Sequence, residues 1–298
     1  MTHTIIYKVR DVAAYVNWLY FFHAWHFPSS YAAISRVHGC VACRTNWQQR
    51  FPDEERPRVA EAMKLYDEAQ RLLAEWDAAG IEVRFRVCLE AANSEGDDIL
   101  LLESGLRLPM LRQQVAHDGV CLCLADFVRP KSKGGAEDRV GVFASTVESR
   151  AERWDEDDEF RRMLSQTLAD RLAEAAAEAG HQQVRRRLWG YAPDENLQPD
   201  ELFREQYVGR RPAVGYPSLP DQSLNFLLER VLDFASLGIS LTETGAMRPH
   251  ASTSGLMLAH PACRHFAVGH IGEDQLRDYA QRRGESVERL RPFLAGLL

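Results

Sequence analysis

No apolar run in the 298 residues reaches the roughly 20 that a membrane-spanning helix requires, which excludes a helical membrane span. The segment Met1 to Arg10 also lacks the basic-then-apolar plan of a secretory signal, so a cytoplasmic protein is expected. Basic charge is short: 36 Lys and Arg stand against 43 Asp and Glu, a net charge of -7. That balance argues against sequence-blind nucleic-acid binding, which needs a basic surface to displace counterions from phosphates. Six cysteines spread over this length are too sparse for a disulfide-stapled scaffold, and reduced thiols are expected. Internal repeats, low-complexity tracts and a clear interdomain linker are missing too, so one domain over residues 1–298 is expected.

What is present fits a globular chain, with 45% hydrophobic and 27% charged residues. Val12 to Trp25 is apolar and aromatic almost all round, which predicts an enclosed helix interrupted by Asn17. A buried amide there needs a hydrogen-bond partner from protein, water or ligand, and the residues alone favour a protein partner. Pro28 to Pro57 shows no sustained period and is predicted to be an irregular excursion or insertion. Pro57 opens a helix that Gly80 closes. Ile81 to Glu90 alternates as a half-buried strand, and Asn93 to Asp98 turns into a second, Ile99 to Glu103. Val120 to Val128 and Val140 to Thr146 are predicted strands joined by the turn-rich Arg129 to Asp138.

Phe160 to Leu188 carries the longest helical pattern. Asp170 and Glu174 share one of its faces, which the pattern alone assigns to solvent. Arg185, Arg186 and Arg187 sit near its C-terminal end, where positive charge complements the helix dipole. A further helix is predicted around Leu224 to Phe234, then paired strands at Leu256 to Ala259 and Phe266 to Ile271. Glu273 to Arg283 is amphipathic and stops at Gly284, and Ser286 caps a last short helix.

The most informative stretch is Gly209-Arg210-Arg211-Pro212-Ala213-Val214-Gly215-Tyr216-Pro217. Pro212 and Pro217 restrict Arg211 and Tyr216 to extended conformations, and Gly215 permits close approach to the backbone. An arginine so placed suits bidentate binding of a carboxylate, with neighbouring peptide groups free to bond a flat heterocycle. Taken by itself the pattern favours a plain loop or edge-strand turn over a ligand site, since Pro and Gly punctuate loops generally.

This stretch resembles the Arg-Pro-Ala-x-Gly-Tyr-Pro signature of the activation domain of cobalamin-dependent methionine synthase. The resemblance continues through Trp189-Gly190-Tyr191-Ala192-Pro193, Leu241-Thr242-Glu243-Thr244-Gly245, Gly96-Asp97-Asp98-Ile99, Cys123-Leu124-Ala125-Asp126-Phe127-Val128 and Asp170-Arg171-Leu172-Ala173-Glu174, and spans about Tyr15 to Gly284. It implies an α+β fold, a twisted antiparallel sheet flanked by helices, with S-adenosylmethionine in a shallow surface groove. By the same resemblance Arg211 holds the ligand carboxylate, the main chain at Ala213 contacts adenine, and Glu174 lies near the ligand's polar groups. Gly215, His265 and Phe266 complete the implied ligand site with Asn17. Tyr216 would face the corrinoid, and Asp170 would help receive the domain that carries it.

The implied chemistry is reactivation. Cob(II)alamin is reduced uphill, and transfer of a sulfonium methyl to cob(I) draws that reduction forward, so no general acid or base of the chain is required. Cobalamin would come from a partner, a methionine synthase or other corrinoid protein, with a flavodoxin-type electron donor. Homocysteine, folate and cobalamin modules are not recognisable in the chain, so action in trans is expected.

The chain departs from the family pattern at Asn17, where an aspartate is usual, at His265, which replaces a tyrosine, and at Gln222, where a histidine associated with corrinoid docking is common. These departures leave open a non-catalytic assembly protein that has lost S-adenosylmethionine. His38, Cys40 and Cys43 form a pattern used for zinc or for a redox dithiol. Only three ligands stand together where a closed zinc site takes four, so a reduced pair without metal is expected.

Overall fold

The computed structural model describes residues 1–116, 119–131, 136–155 and 157–298. Its strands are β1 (Thr2–Lys8), β2 (Glu82–Glu95), β3 (Asp98–Leu101), β4 (Arg107–Pro109), β5 (Asp138–Val147), β6 (Ser240–Leu241), β7 (Met247–Arg248) and β8 (Ser252–Met257). Six of them form one antiparallel sheet in the order β4-β3-β2-β5-β8, with β1 also paired to β2. β2 is long enough to hold two partners on one edge: Thr2 to Lys8 pair with Cys88 back to Glu82, and β3 pairs with Ala92 to Glu95. The α+β class and the helix-flanked antiparallel sheet are therefore as the sequence implied.

Alternation along β2 sends Val83, Phe85, Val87 and Leu89 into one core, shared with the helices Arg56–Ala78 and Glu159–Gln183. Each such side chain contributes about 1.5–3 kcal/mol when fully buried. The opposite face stays partly exposed at Glu82, Arg84 and Arg86, as a half-buried strand requires, and from Cys88 onward it is covered by the helix Asn225–Leu232 and its neighbours. Arg84 and Arg86 lie on that face and donate to the carbonyls of Leu237 and Leu232, at 3.1 and 2.7 Å, at the C-terminal ends of two helices. A third cluster joins Leu111, Val268 and Ile271 to the C-terminal helices Glu273–Arg283 and Val287–Leu294.

The helix Glu159–Gln183 is buried on nearly every side along its second half. Ala169, Ala173, Ala176, Ala177 and Gly180 let it approach the sheet, and at Gly180 an added Cβ would come within 2.6 Å of the Phe85 ring. That proximity fixes which residues of the helix face the groove described below.

Several expectations are corrected. Val12 to Trp25 is not one helix: the chain is helical over Val9–Val12 and Trp18–Ala24, and Asn17 is the extended N-cap of the second piece, its side chain accepting the Leu19 N–H at 3.1 Å. Asn17 is half-buried rather than enclosed. Pro28 to Pro57 is not irregular but carries a 3₁₀ helix, Ser29–Arg36, and an α-helix, Val41–Gln48, anchored by buried Tyr31, Ile34 and Trp47. Val120 to Val128 forms a 3₁₀ turn, Leu124–Phe127, because the Asp126 carboxylate captures the Cys123 N–H at 2.8 Å. Phe266 to Ile271 is not a strand either. Its backbone N–H groups go to Pro217 and Leu297, from Val268 and Ile271, instead of to the segment Leu256 to Ala259. The turn Arg129 to Asp138 includes residues 132–135, which lie outside the described residues.

Candidate functional site

The groove is built where an irregular segment joins the sheet edge. Arg210 exchanges both backbone hydrogen bonds with Leu258 at 2.9 Å, Leu256 N–H donates to Pro212, and Val214 N–H donates to Ser254. Residues 210 to 214 thus extend the sheet beyond β8. By the alternation of an antiparallel pair, the Arg211 and Ala213 peptides are turned off β8, and the Ala213 carbonyl accepts the Tyr216 N–H at 3.2 Å. Gly255 makes this possible, since a Cβ there would lie 2.2 Å from the Pro212 carbonyl oxygen. Gly215, at φ 88°, then reverses the chain and donates its N–H to Leu219.

The resulting groove measures about 560 Å³ and is lined by seven of the residues singled out from sequence: Asn17, Glu174, Arg211, Ala213, Tyr216, His265 and Phe266. The eighth, Gly215, shapes the turn but does not line the groove. Asp170 lies outside it and contacts exposed His250 at 3.1 Å. Gln222 is exposed at the start of a short 3₁₀ turn and is likewise not part of the lining.

Arg211 is the best-supported side chain in the groove. Its guanidinium donates to Glu178 at 3.1 Å and contacts His181 Nδ1 at 3.3 Å. Burial disfavours its charge, but the Glu178 carboxylate, Tyr207 and Glu174 outweigh that effect and hold it charged, above its ordinary pKa. His181 is pushed the other way: complete burial first, then Arg185, Arg211 and Arg210, keep the imidazole neutral well below its usual value. Behind these lies a rigid backing. Arg185 is fully buried, forms a bidentate pair with Glu195 at 2.6 and 2.8 Å, and stacks 3.9 Å above the Tyr207 ring. Tyr207 meets His181 edge to face at 5.2 Å. The arginine run is thus no simple dipole complement; its first member supports the groove from within.

Three carboxylates line the cavity. Glu174, expected on a solvated face, is half-buried and accepts the Tyr216 hydroxyl at 3.2 Å. The Glu174 charge first, then burial, pushes that hydroxyl up to about 12. Glu178 is buried, and its Oε1 has no hydrogen-bond partner among the described residues. At the far wall His265 Nε2 lies 2.9 Å from Glu205. Burial works against the Glu205 charge, but the His265 hydrogen bond and nearby Arg210 and Arg211 outweigh it, and its carboxyl is held below the ordinary glutamate value.

Glu178, Tyr207, Glu205, Tyr15 and Tyr20 were not anticipated. A signal existed for the first, since Asp170, Glu174 and Glu178 recur at the four-residue spacing of one helix face. Nothing in local pattern marks the others.

Residues 8–284 match the family model for the vitamin B12 dependent methionine synthase, activation domain. The chain belongs to this family. A crystal structure of the MetH reactivation domain bound to AdoHcy is similar, with 34% identity and a TM-score of 0.87, the match covering 100% of this chain and 90% of that one. Among the described residues, no helix of this activation domain is long and apolar enough to cross a membrane. The fold and the family thus agree with one another.

Proposed function

We propose that the groove binds S-adenosylmethionine and that the protein serves reductive methylation of cob(II)alamin carried by a methionine synthase or another corrinoid protein, acting in trans in the cytoplasm with a flavodoxin-type electron donor. The observation that carries this reading is one groove joining a charged arginine, two peptides turned off the sheet and a carboxylate oxygen without a partner among the described residues. It is supported by the AdoHcy bound in the related reactivation domain.

Of five guanidinium N–H donors, Arg211 directs one to Glu178 and one to His181, leaving a fork for the ligand carboxylate. Glu178 Oε1, with Glu174 and the Asn17 side chain, receives the ammonium. The Ala213 main chain reads the adenine edge, and Phe266 with His265 closes that end. Bound S-adenosylmethionine supplies an electrophilic methyl group, whose transfer to cob(I)alamin makes the preceding reduction effectively irreversible. The chain supplies proximity and orientation. Tyr216, 51% exposed and neutral at physiological pH, stands at the mouth where a corrinoid domain would arrive, and Asp170 lies on the receiving surface.

Calorimetric titration with S-adenosylmethionine tests the groove, and neither heat nor thermal stabilisation at millimolar ligand rejects it. Action in trans is tested by mixing the chain with a cob(II)alamin-loaded corrinoid protein, reduced flavodoxin and S-adenosylmethionine. Methylcobalamin absorbance is expected to appear only when the chain is present. The second reading, a corrinoid-binding assembly protein without S-adenosylmethionine, is favoured only by Asn17, whose oxygen already accepts the Leu19 N–H. It predicts partner binding of equal strength with and without the ligand.

A further inference from the structure

We infer that His38, Cys40 and Cys43 form a second site, separate from the groove, that binds a divalent cation of the zinc class through one imidazole nitrogen and two thiolates. Their three donor atoms lie within 4.8 Å of one another. In a tetrahedral zinc site, bonds of about 2.3 Å to sulfur and 2.0–2.1 Å to nitrogen bring ligand atoms closer than this limit, so the cluster has to contract by at most roughly 1 Å. Both cysteines are exposed, which leaves their side chains free to make that adjustment.

The backbone already has the form a metal loop needs. Cys40 is the N-cap of the helix Val41–Gln48, and its Sγ accepts the Cys43 N–H at 3.4 Å, a bond that favours a thiolate. The Cys40 N–H in turn donates to His38 Nδ1 at 3.3 Å, which holds the ring against the cysteine loop. Zinc takes a neutral imidazole through a free lone pair, so binding through Nδ1 exchanges this hydrogen bond for the metal.

The loop is pinned at both ends. Tyr31 and Ile34 are buried before it. After it, Trp47 packs edge to face on Phe51 at 5.0 Å, and Arg44 pairs with Asp67 of the long helix at 2.5 Å. This anchoring gives the segment Pro28 to Pro57 a rigid frame that the groove does not use.

A dithiol needs only the two cysteines, and the convergence of His38 is what favours a metal, because a nitrogen and two sulfurs make a donor set suited to zinc. Two thiolates balance the charge of the ion. The fourth position is open: a hollow of about 580 Å³, lined in part by His38, Cys43, Asn46 and Arg50, adjoins the cluster and admits water or an anionic donor. The sequence pointed away from a closed four-ligand site, and the geometry fits an open three-ligand one.

The test uses the full chain, reduced and stripped with a chelator, titrated with Zn²⁺ against a chromophoric competitor, and with Co²⁺ to read thiolate-to-metal charge transfer. One zinc per chain and a tetrahedral cobalt spectrum are expected. Cys40→Ser and Cys43→Ser should each lower affinity by more than about 100-fold, beyond the 10–100-fold typical of outer-shell changes. Because all three side chains are exposed, His38→Ala should weaken zinc without shifting the metal-free unfolding midpoint. Uptake unchanged by the serine variants overturns the site, and so does a reduced chain that takes up no zinc yet oxidises readily to a Cys40–Cys43 disulfide. Neither outcome bears on S-adenosylmethionine in the groove.

Discussion

The Arg211 guanidinium and the Glu178 carboxylate meet at 3.1 Å through Oε2 alone, and Oε1 is left buried without a partner among the described residues. A buried acceptor without a hydrogen bond costs about 1–3 kcal/mol, and a ligand ammonium reaching it recovers that cost. Arg211→Ala is therefore expected to lower S-adenosylmethionine affinity by about 10–100-fold, the range for a charged hydrogen bond. It also strands the Glu178 charge and lowers the unfolding midpoint. The double variant Arg211→Ala with Glu178→Gln should regain stability but not binding. Calorimetry and thermal denaturation of the natural chain and the two variants check this, and equal affinity in all three would refute the assignment.

Asn17 offers a test in the opposite direction. Its side chain caps the helix Trp18–Ala24, and aspartate is an equally good cap, so Asn17→Asp should leave folding stability unchanged. The same change places a full negative charge at the groove. S-adenosylmethionine should bind about fivefold more tightly, corresponding to ~1 kcal/mol from a charge-assisted hydrogen bond. Titration calorimetry of the variant beside the natural chain decides it, and unaltered affinity places the ligand ammonium elsewhere.

These two residues also mark how far the sequence could be read. The strand at Val83, Phe85, Val87 and Leu89 was legible because a two-residue period has one simple structural meaning. The groove's charged and turn residues were legible through the resemblance, because Arg211, Ala213 and Tyr216 fall in one continuous segment. Tyr207 and Glu205 were not, since they reach the groove only through the packing of Arg185 on Tyr207 and of His265 on Glu205, contacts between segments far apart or without a period. Asn17 was misread as the middle of a helix because an apolar run conceals a cap. The failed strand at Val120 to Val128 had the same kind of cause, a single side-chain bond from Asp126 outweighing β propensity.

Gly255→Ala tests the sheet extension that carries the Arg211 and Ala213 peptides. The new Cβ would sit 2.2 Å from the Pro212 oxygen and 2.8 Å from the Ala213 Cα, both backbone atoms with no flexible side chain to yield. The 210–214 segment must move off β8, at a cost of about 1–3 kcal/mol. Hydrogen exchange at Val214 and Leu256, whose N–H groups bond across this seam, should accelerate relative to β2, and S-adenosylmethionine affinity should fall with it. Unchanged protection at both amides would show that the segment does not depend on this contact.

His181 gives a pH signature. In the unfolded chain it takes up a proton below its ordinary value of about 6.5, whereas in the folded chain burial and three arginines keep it neutral well below that. Between those limits the unfolded state binds one more proton, so stability falls as pH falls, by up to about 1.4 kcal/mol per pH unit. Carboxylates held below their ordinary values, Glu205 among them, add their own loss only under about pH 4.5, where an ordinary glutamate begins to protonate. Denaturant unfolding between pH 7.5 and 5 should therefore show a decline that His181→Asn flattens, while the variant loses the contact with Arg211 and some overall stability. A natural chain equally stable at both ends of that range would mean that His181 charges within the fold, next to the very guanidinium that the groove relies on.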